Sequence, residues 1–266
     1  MRFAVSEDLK HFSEPRIVVT PQKFEEGIEI FKKVGEELAG GKKIMAIAGG
    51  IAGPFDERKR SLLGSPNLKD WIGRPFTKEL EEYFGASVFI ENDAALAGLG
   101  EAVYGAGKNY SIVAYLTVST GVGGARIVNQ KIDEKTIGFE PGHQIIDAGR
   151  ALCPECEGCT LGRYISGNSI EKRMGKKPEE IDDTEFWDRI SEFVAYGVHN
   201  MICFWSPDVV VLGGSLMKSI NIHTVEENLK KTFTVFPEIS PLKHAELGDL
   251  GGLYGAMAFL KERGGY

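Results

Sequence analysis

The sequence lacks the features that mark a secreted, membrane-spanning or nucleic-acid-binding protein. No apolar run approaches the length of a membrane span, and the N-terminus shows no signal-peptide pattern. Basic residues are the minority, since 31 Lys and Arg stand against 38 Asp and Glu, and the net charge is −7. A surface that follows nucleic-acid phosphates carries the opposite sign. These absences predict a cytoplasmic protein that binds neither membranes nor nucleic acid.

Low-complexity linkers and short-period repeats are also missing, as are the P-loop and the dinucleotide motif G-x-G-x-x-G. What remains is a chain of 266 residues, which can bury one large core or two moderate ones. Its 33 glycines gather in short runs after apolar stretches. Such runs are expected where loops approach a ligand closely.

Cysteine is scarce, but three of the four cysteines lie together in a C-x-x-C-x-x-C run with a histidine upstream. The members of this cluster are His143, Cys153, Cys156 and Cys159. Three thiolates and one imidazole form the ligand set of a closed structural zinc site, and Pro154 and Gly158 allow the tight turns. The alternative is three small buried residues and a solvent-exposed histidine. We favour zinc, because a reduced chain gains nothing else from clustered thiols, and the ion would fix a loop that presents Glu140 and His143.

The first third of the chain predicts a hairpin, a helix and a glycine-rich loop. The hairpin covers Met1–Thr20, and Pro21 opens a helix that Gly40 and Gly41 end. A short buried strand over Lys43–Ala48 then runs into Gly49–Pro54. That loop either lets a ligand touch the backbone or is a simple turn.

A second group of predicted elements follows. Thr77 can cap a helix through Tyr83, and Ser87–Ile90 is predicted as the next strand. Further along, a long helix over Thr184–Trp205 contains Cys203, which we interpret as a small buried apolar residue. A last helix begins near Gly251 and ends near Arg263.

Polar residues follow the predicted strand over Ser87–Ile90, and a helix of small residues comes next. Asn92 is a good N-cap, and the carboxylate of Asp93 in the first turn suits the helix dipole. Capping alone is one interpretation. The other is functional, because an ionised carboxylate at the carboxyl end of a strand lies where open α/β sheets bind ligands. Asp93 could then act as a general base toward a hydroxyl.

Two further strands each end in a glycine-rich turn. Tyr110–Val118 leads into Ser119–Gly124, and Ala125–Val128 is the return strand. Asp208–Leu212 leads into Gly213 and Gly214. The first turn is either a nest of backbone N–H groups that holds an anion or a plain hairpin turn. The second suits a nucleotide that lies against the backbone.

The order of these motifs resembles the ROK family (repressor, open reading frame, kinase) of bacterial and archaeal sugar kinases, over nearly the whole chain. The marks of the resemblance are Gly53-Pro54, Pro66-Asn67-Leu68, Trp71, Glu91-Asn92-Asp93-Ala94, Ser119-Thr120-Gly121-Val122-Gly123, Glu140-x-Gly142-His143, the cysteine cluster, Tyr164-Ile165-Ser166-Gly167 and Leu212-Gly213-Gly214. Each mark is weak alone, and their order is specific.

The resemblance implies an α/β architecture, the actin-like ATPase (ribonuclease H-like) fold, with two α/β domains around a cleft. We expect an N-terminal domain over residues 1–102 and a C-terminal domain over residues 103–266 that carries the zinc cluster. The last helix is expected to pack back on the N-terminal domain. A homodimer is also expected from the resemblance.

The implied reaction transfers the γ-phosphoryl group of ATP to a sugar hydroxyl with the help of Mg²⁺. Asp93 is the implied base. The implied sugar-binding residues are Gly53, Asn67, Asn92, Asp93, Glu140 and His143. The implied ATP-binding residues are Ser119, Thr120, Gly121, Gly123, Gly213 and Gly214. His143 would also bind zinc through its other ring nitrogen.

The sequence departs from the family pattern at three places. The family's first strand and its D-x-G-G-T phosphate loop have no counterpart before Met1-Arg2-Phe3-Ala4-Val5, so negligible phosphorylation and weak sugar binding are expected. The gaps between the cysteines are equal instead of unequal. Gly162, or Leu161 in another register, stands where the family has a sugar-binding Glu. The alternative function is therefore a non-catalytic, sugar-sensing homologue; the repressor branch lacks support because no helix-turn-helix precedes Met1.

Overall fold

The protein is described by a computed structural model over residues 1–56, 58–65, 67–133, 137–234 and 236–264. Its N-terminal hairpin pairs β1 (Arg2–Phe3) with β2 (Arg16–Ile17) in antiparallel register, which confirms the predicted hairpin. Helix α1 (Phe24–Ala39) follows and buries Phe24, Ile28 and Val34. Gly40 ends α1 with φ +56°, a left-handed conformation that glycine adopts without strain.

Strand β3 (Ala46–Ile51) pairs in parallel with β4 (Ser87–Asn92), so that Ile51 lies opposite Asn92. The predicted strand over Lys43–Ala48 was therefore placed too early, and Gly49 and Gly50 belong to the strand. Packing explains Gly50, because a Cβ atom there would lie 2.8 Å from the Asp93 Cα. The pair β1–β2 and the pair β3–β4 are separate two-stranded sheets.

Helix α2 (Phe76–Phe84) follows β3 and precedes β4 in the chain. The prediction that Thr77 caps this helix is wrong. Pro75 occupies the N-cap position, and Thr77 is buried in the first turn, where its hydroxyl lies 3.5 Å from the Arg60 carbonyl oxygen. The core of this part of the chain consists of Phe24, Ile28, Phe55, Leu62, Trp71, Phe76, Leu80, Val88 and Ile90.

A five-stranded sheet forms the centre of the second half of the chain, in the order β7-β6-β5-β8-β9. Its strands are β5 (Ile112–Val118), β6 (Val122–Val128), β7 (Lys131–Ile132), β8 (Val209–Gly213) and β9 (Leu242–His244). The β5–β6 and β6–β7 pairs are antiparallel, and β8 is parallel to both β5 and β9. The glycine-rich turn after β5 is thus the tip of a hairpin, as predicted.

Helices cover both faces of this sheet. Those present are α3 (Asp93–Tyr104), α4 (Leu161–Ile165), α5 (Gly167–Met174), α6 (Thr184–Trp205), α7 (Ile222–Thr232) and α8 (Gly251–Arg263). Successive side chains of β5 point to opposite faces: Leu116 joins the core that α4 to α7 complete, and Tyr115 joins the core under α3 and α8. Helix α8 also contacts β3.

One prediction about α6 is wrong. Cys203 is exposed instead of buried, and the neighbouring Phe204 is 83% exposed. The buried face of α6 instead carries Trp187, Ile190 and Val194 among others. Within the described ranges, no helix combines the length and the apolar character needed to cross a bilayer.

Candidate functional site

Two cavities contain most of the predicted site residues. A cleft of about 1540 Å³ between the β3–β4 region and the five-stranded sheet is lined by Asn67, Asp93, Ser119, Gly213 and Gly214. A smaller cavity of about 60 Å³ is lined by Gly53, Asn92 and Glu140, together with Lys59 and Glu91. Four of the residues implied to bind the sugar or ATP line neither cavity in the described structure: Thr120, Gly121, Gly123 and His143.

The junction of β4 and α3 forms as the sequence predicts. Asn92 caps α3, since its side-chain oxygen accepts the Ala95 N–H at 3.1 Å, and Asp93 is the first helical residue. The Asp93 carboxylate accepts the N–H of Ala94 at 2.9 Å. Asn92 therefore caps α3 as predicted, and Asp93 stays partly exposed at the cleft.

The electrostatics of this junction favour a base that can take up a proton. The Asp93 carboxylate is open to the cleft but surrounded by protein elsewhere, and this desolvation raises its pKa. Desolvation also raises the pKa of Glu140; the neighbouring His143 opposes that rise, and the charge of Asp93 adds to it. The two carboxyl groups therefore interact across the same site.

Glu140 is followed by a tight turn, Pro141–His143, that packs on β6. Gly142 permits this packing, because a Cβ atom there would lie 2.3 Å from the Val122 carbonyl oxygen. His143 is exposed, and its backbone N–H donates to the Glu140 carbonyl at 3.0 Å. At Gly162 a Cβ atom would lie 3.1 Å from the Gly142 carbonyl oxygen, so a glutamate at that position would crowd the turn.

The turn after β5 is held by neighbouring segments. The carbonyl oxygen of Ser119 accepts the Gly167 N–H at 2.8 Å, and that of Thr120 accepts the Asn168 N–H at 3.1 Å, which fixes the turn to the start of α5. The Ser119 N–H donates to the Gly121 carbonyl at 2.9 Å and is therefore not free for an anion. The Ser119 hydroxyl hydrogen-bonds to that of Ser215 at 3.0 Å.

The two glycines after β8 have a packing requirement of their own. Gly214 has φ +96°, and a Cβ atom there would lie 2.2 Å from the Val118 carbonyl oxygen. At Gly213 a Cβ atom would lie 2.5 Å from the Tyr115 hydroxyl oxygen. Because β5 and β8 are adjacent and parallel, their two glycine-rich turns meet at one edge of the sheet.

The structure does not assemble the predicted zinc ligands. Cys153 and Cys156 are joined by a disulfide, with their Cα atoms 5.3 Å apart, and Cys159 is free. Among the described residues no group of three or more His, Cys, Asp or Glu side chains could hold a metal ion. Two of the expected donors are oxidised here, so this form of the cluster does not fit zinc; the zinc prediction applies only to the reduced chain.

A buried aspartate that sequence reasoning missed organises the cysteine loop. The Asp147 carboxylate accepts the N–H groups of Ala151 at 3.1 Å and Leu152 at 2.7 Å, and the Tyr164 hydroxyl at 2.8 Å. The Arg173 guanidinium donates to the Cys156 sulfur at 3.0 Å. An aspartate before a small-residue turn was the available signal for this role.

A second pair was also missed. Glu91, at the end of β4, is 2% exposed, and the ammonium group of Lys59 forms an ion pair with it. The position of Glu91 directly before Asn92, at the end of a predicted strand, was the available signal for this role. Nothing in the sequence indicates that Lys59 is the partner of Glu91, because the loop that carries Lys59 approaches β4 only in the folded chain.

Known proteins with similar sequences include sugar kinases and a transcriptional repressor. The model that describes the ROK family matches residues 1–263. A glucokinase from Thermotoga maritima is 26% identical, over 88% of this chain and 86% of its own length. A xylose repressor from Bacillus subtilis is 26% identical over 73% of this chain and 52% of the repressor.

A solved structure shows the same architecture. The ROK hexokinase from Thermus thermophilus superposes with a TM-score of 0.80 at 27% identity, and the match covers 97% of this chain and 94% of the hexokinase. The predicted α/β fold of the actin-like ATPase type is thereby confirmed.

Proposed function

The chain belongs to the ROK family, and we propose that it transfers the γ-phosphoryl group of ATP to a hydroxyl group of a sugar. The observation that carries this proposal is Asp93, a carboxylate at the first position of α3 that faces the cleft with a raised pKa. A base with such a pKa accepts a hydroxyl proton more readily than an ordinary aspartate does. The glucokinase and hexokinase relatives support the same reaction.

We propose that the sugar binds against Asp93 with its other hydroxyls toward neighbouring polar groups. Gly53, Asn92 and Glu140 line the small cavity, and Asn67 lines the larger cleft. Glu140 and Asn92 offer hydrogen-bond acceptors and, for Asn92, donors. His143 is exposed beside Glu140 and completes the set that the family resemblance implies.

We propose that ATP lies across the edge where β5 and β8 end. The Ser119 hydroxyl, Thr120, Gly121 and Gly123 would face its phosphates, and Gly213 and Gly214 would lie near the adenosine. Mg²⁺ would arrive with the nucleotide and neutralise charge on the transferred group. The protein's own task is positioning, because phosphoryl transfer asks little covalent chemistry of the enzyme.

A second candidate function is sugar sensing without turnover. The xylose repressor relative favours it, since a repressor of this family matches the chain over 73% of its length. In that case the same residues would bind a sugar, and Asp93 would only stabilise the first turn of α3 and contact the ligand.

A panel of hexoses and amino sugars tests both candidates. Sugar-dependent ADP release, followed by a coupled assay, supports the kinase. A sugar-induced rise in melting temperature without ADP release supports the sensor. Neither response with any sugar would contradict both proposals.

Four further features of the chain remain proposals. We infer a cytoplasmic protein, a domain division at residues 1–102 and 103–266, a homodimer, and one structural zinc per reduced chain. The packing of α8 on α3 and β3 supports the view that the last helix returns to the N-terminal part. The three thiols and His143 support the zinc.

A further inference from the structure

The loop after β3 folds back on itself as a small hairpin. Phe55 forms an isolated antiparallel bridge with Leu62, and the Leu63 N–H donates to the Pro54 carbonyl at 2.9 Å. The Asp56 carboxylate holds the tip, because it accepts the N–H of Arg60 and the hydroxyl of Ser61, each at 2.8 Å. This hairpin carries Gly53 at its base.

The tip of the hairpin returns to the sheet through Lys59. Its backbone has φ +53°, and its N–H donates to the Asp56 carbonyl at 2.9 Å. Its ammonium group forms an ion pair with Glu91, whose side chain is only 3% exposed, whereas the Lys59 side chain is 34% exposed. A buried carboxylate needs such a partner, since removal of one member of a buried pair leaves a charge poorly compensated.

Glu91 connects this pair to the candidate sugar site. While one carboxylate oxygen meets Lys59, the other accepts the backbone N–H of Asn92 at 2.9 Å. Lys59 and Glu91 also line the small cavity that contains Gly53, Asn92 and Glu140. One ion pair thus joins the hairpin to the backbone of a proposed sugar-binding residue.

We propose that Lys59 is a positioning residue that, through Glu91, holds the hairpin and Asn92 in the arrangement that binds the sugar. The proposal rests on the function proposed above. The ammonium group is engaged with Glu91 and takes no part in proton transfer. Its loss should weaken sugar binding in the ground state and the transition state alike, which raises KM for the sugar and leaves kcat nearly unchanged.

Steady-state kinetics of Lys59→Met test the proposal, because methionine keeps an unbranched stem and removes the charge. We expect KM for the sugar to rise by about tenfold, KM for ATP to stay unchanged and kcat to change less than about threefold. Lys59→Arg should restore most of the affinity. Lys78→Met, which breaks the exposed Lys78–Glu82 pair on α2, is the matched control and should leave every constant unchanged.

Hydrogen exchange provides a readout that does not require turnover or a bound sugar. In Lys59→Met, and also in Glu91→Gln, the amides of Asp56 and Leu63 should exchange about tenfold faster than in the parent, because the hairpin opens more often. Lys78→Met should not change them. If no sugar binds the parent protein, the proposed function fails, yet the exchange data still decide whether Lys59 holds the hairpin.

Three results would overturn the inference. Unchanged exchange at Leu63 would show that the ion pair does not hold the hairpin. A loss confined to kcat would place Lys59 in the chemical step. Failure of Lys59→Arg to recover affinity, in a variant that folds as stably as the parent, would show that the positive charge is not what matters.

Discussion

The charge on Asp93 serves the proposed reaction but lowers the stability of the fold. Burial on the protein side raises its pKa, which means that the folded protein binds the proton more tightly than the unfolded chain does. The protonated carboxyl group therefore makes its full contribution to stability below its unfolded pKa, and this contribution is lost as the pH rises through the folded value. At neutral pH the charged form weakens the fold, as is common for residues kept for a function.

Replacement of Asp93 by Asn should consequently stabilise the protein at pH 7. Asparagine can still accept the Ala94 N–H with its side-chain oxygen but carries no charge. We expect a higher melting temperature at pH 7 and a gain that shrinks as the pH falls toward 3.8, the ordinary value for aspartate. Asp182→Asn, at an exposed residue before α6, is the control. A lower melting temperature for Asp93→Asn at pH 7 would contradict the assigned environment.

The same raised pKa predicts how the rate depends on pH. A general base must be ionised before it can accept the hydroxyl proton, so kcat/KM should fall on the acid side. The fall should begin at a pH above the range in which an exposed aspartate titrates, because burial raises the pKa of Asp93 and of Glu140. A rate profile that stays flat down to the ordinary aspartate range would show that neither group titrates in the reaction.

At the scale of elements, close packing explains which predictions held and which did not. The start of α3 could be read from the sequence, because a cap and a first-turn carboxylate act locally. The extent of β3 could not, since Gly49 and Gly50 have low strand propensity and only the contact with Asp93 shows why Gly50 is small. The Lys59–Glu91 pair likewise joins residues whose proximity exists only in the folded chain.

The contact between α3 and α8 depends on glycine, which gives a prediction with its own control. A Cβ atom at Gly255 would lie 1.8 Å from the Leu96 carbonyl oxygen, whereas nothing lies within 4 Å of one at Gly252. Gly255→Ala should therefore lower the free energy of unfolding by about 1–3 kcal/mol. Gly252→Ala in the same helix should change it little or raise it by about 0.5–1 kcal/mol. Equal effects of the two changes in denaturant unfolding would contradict the packing described for α8.

For the whole molecule, the cysteine cluster leads to a prediction about zinc binding by the reduced protein. The reduced chain should hold one zinc, and its removal by a chelator should lower the melting temperature, because metal-binding energy is also folding energy. Protein in which Cys153 and Cys156 form the disulfide should bind no zinc. Metal analysis that finds less than about a tenth of an equivalent in freshly reduced protein would reject the zinc proposal.

The fold followed from the sequence because the motif order reaches across the whole chain, and Asn67, Asp93 and Gly213 of the predicted site line one cleft. The linkage of the turn after β5 to α5, through Ser119 and Gly167, did not, because it joins segments far apart in sequence. The state of the cysteines also could not be read from their spacing, since one C-x-x-C pair serves equally as two metal ligands or as a disulfide.

The most direct test of the central claim uses, as the parent, a version of the chain that carries the family's first strand and D-x-G-G-T loop, and it measures ADP release and sugar binding side by side in this parent and in its Asp93→Asn variant. The account predicts sugar-dependent ADP release by the parent, a fall in turnover of about 10² or more in the variant, and nearly unchanged sugar affinity by calorimetry. Turnover within a few-fold of the parent would show that Asp93 is only a residue of the first turn of α3. Tight sugar binding by the parent without any ADP release would contradict the kinase and leave the sensor.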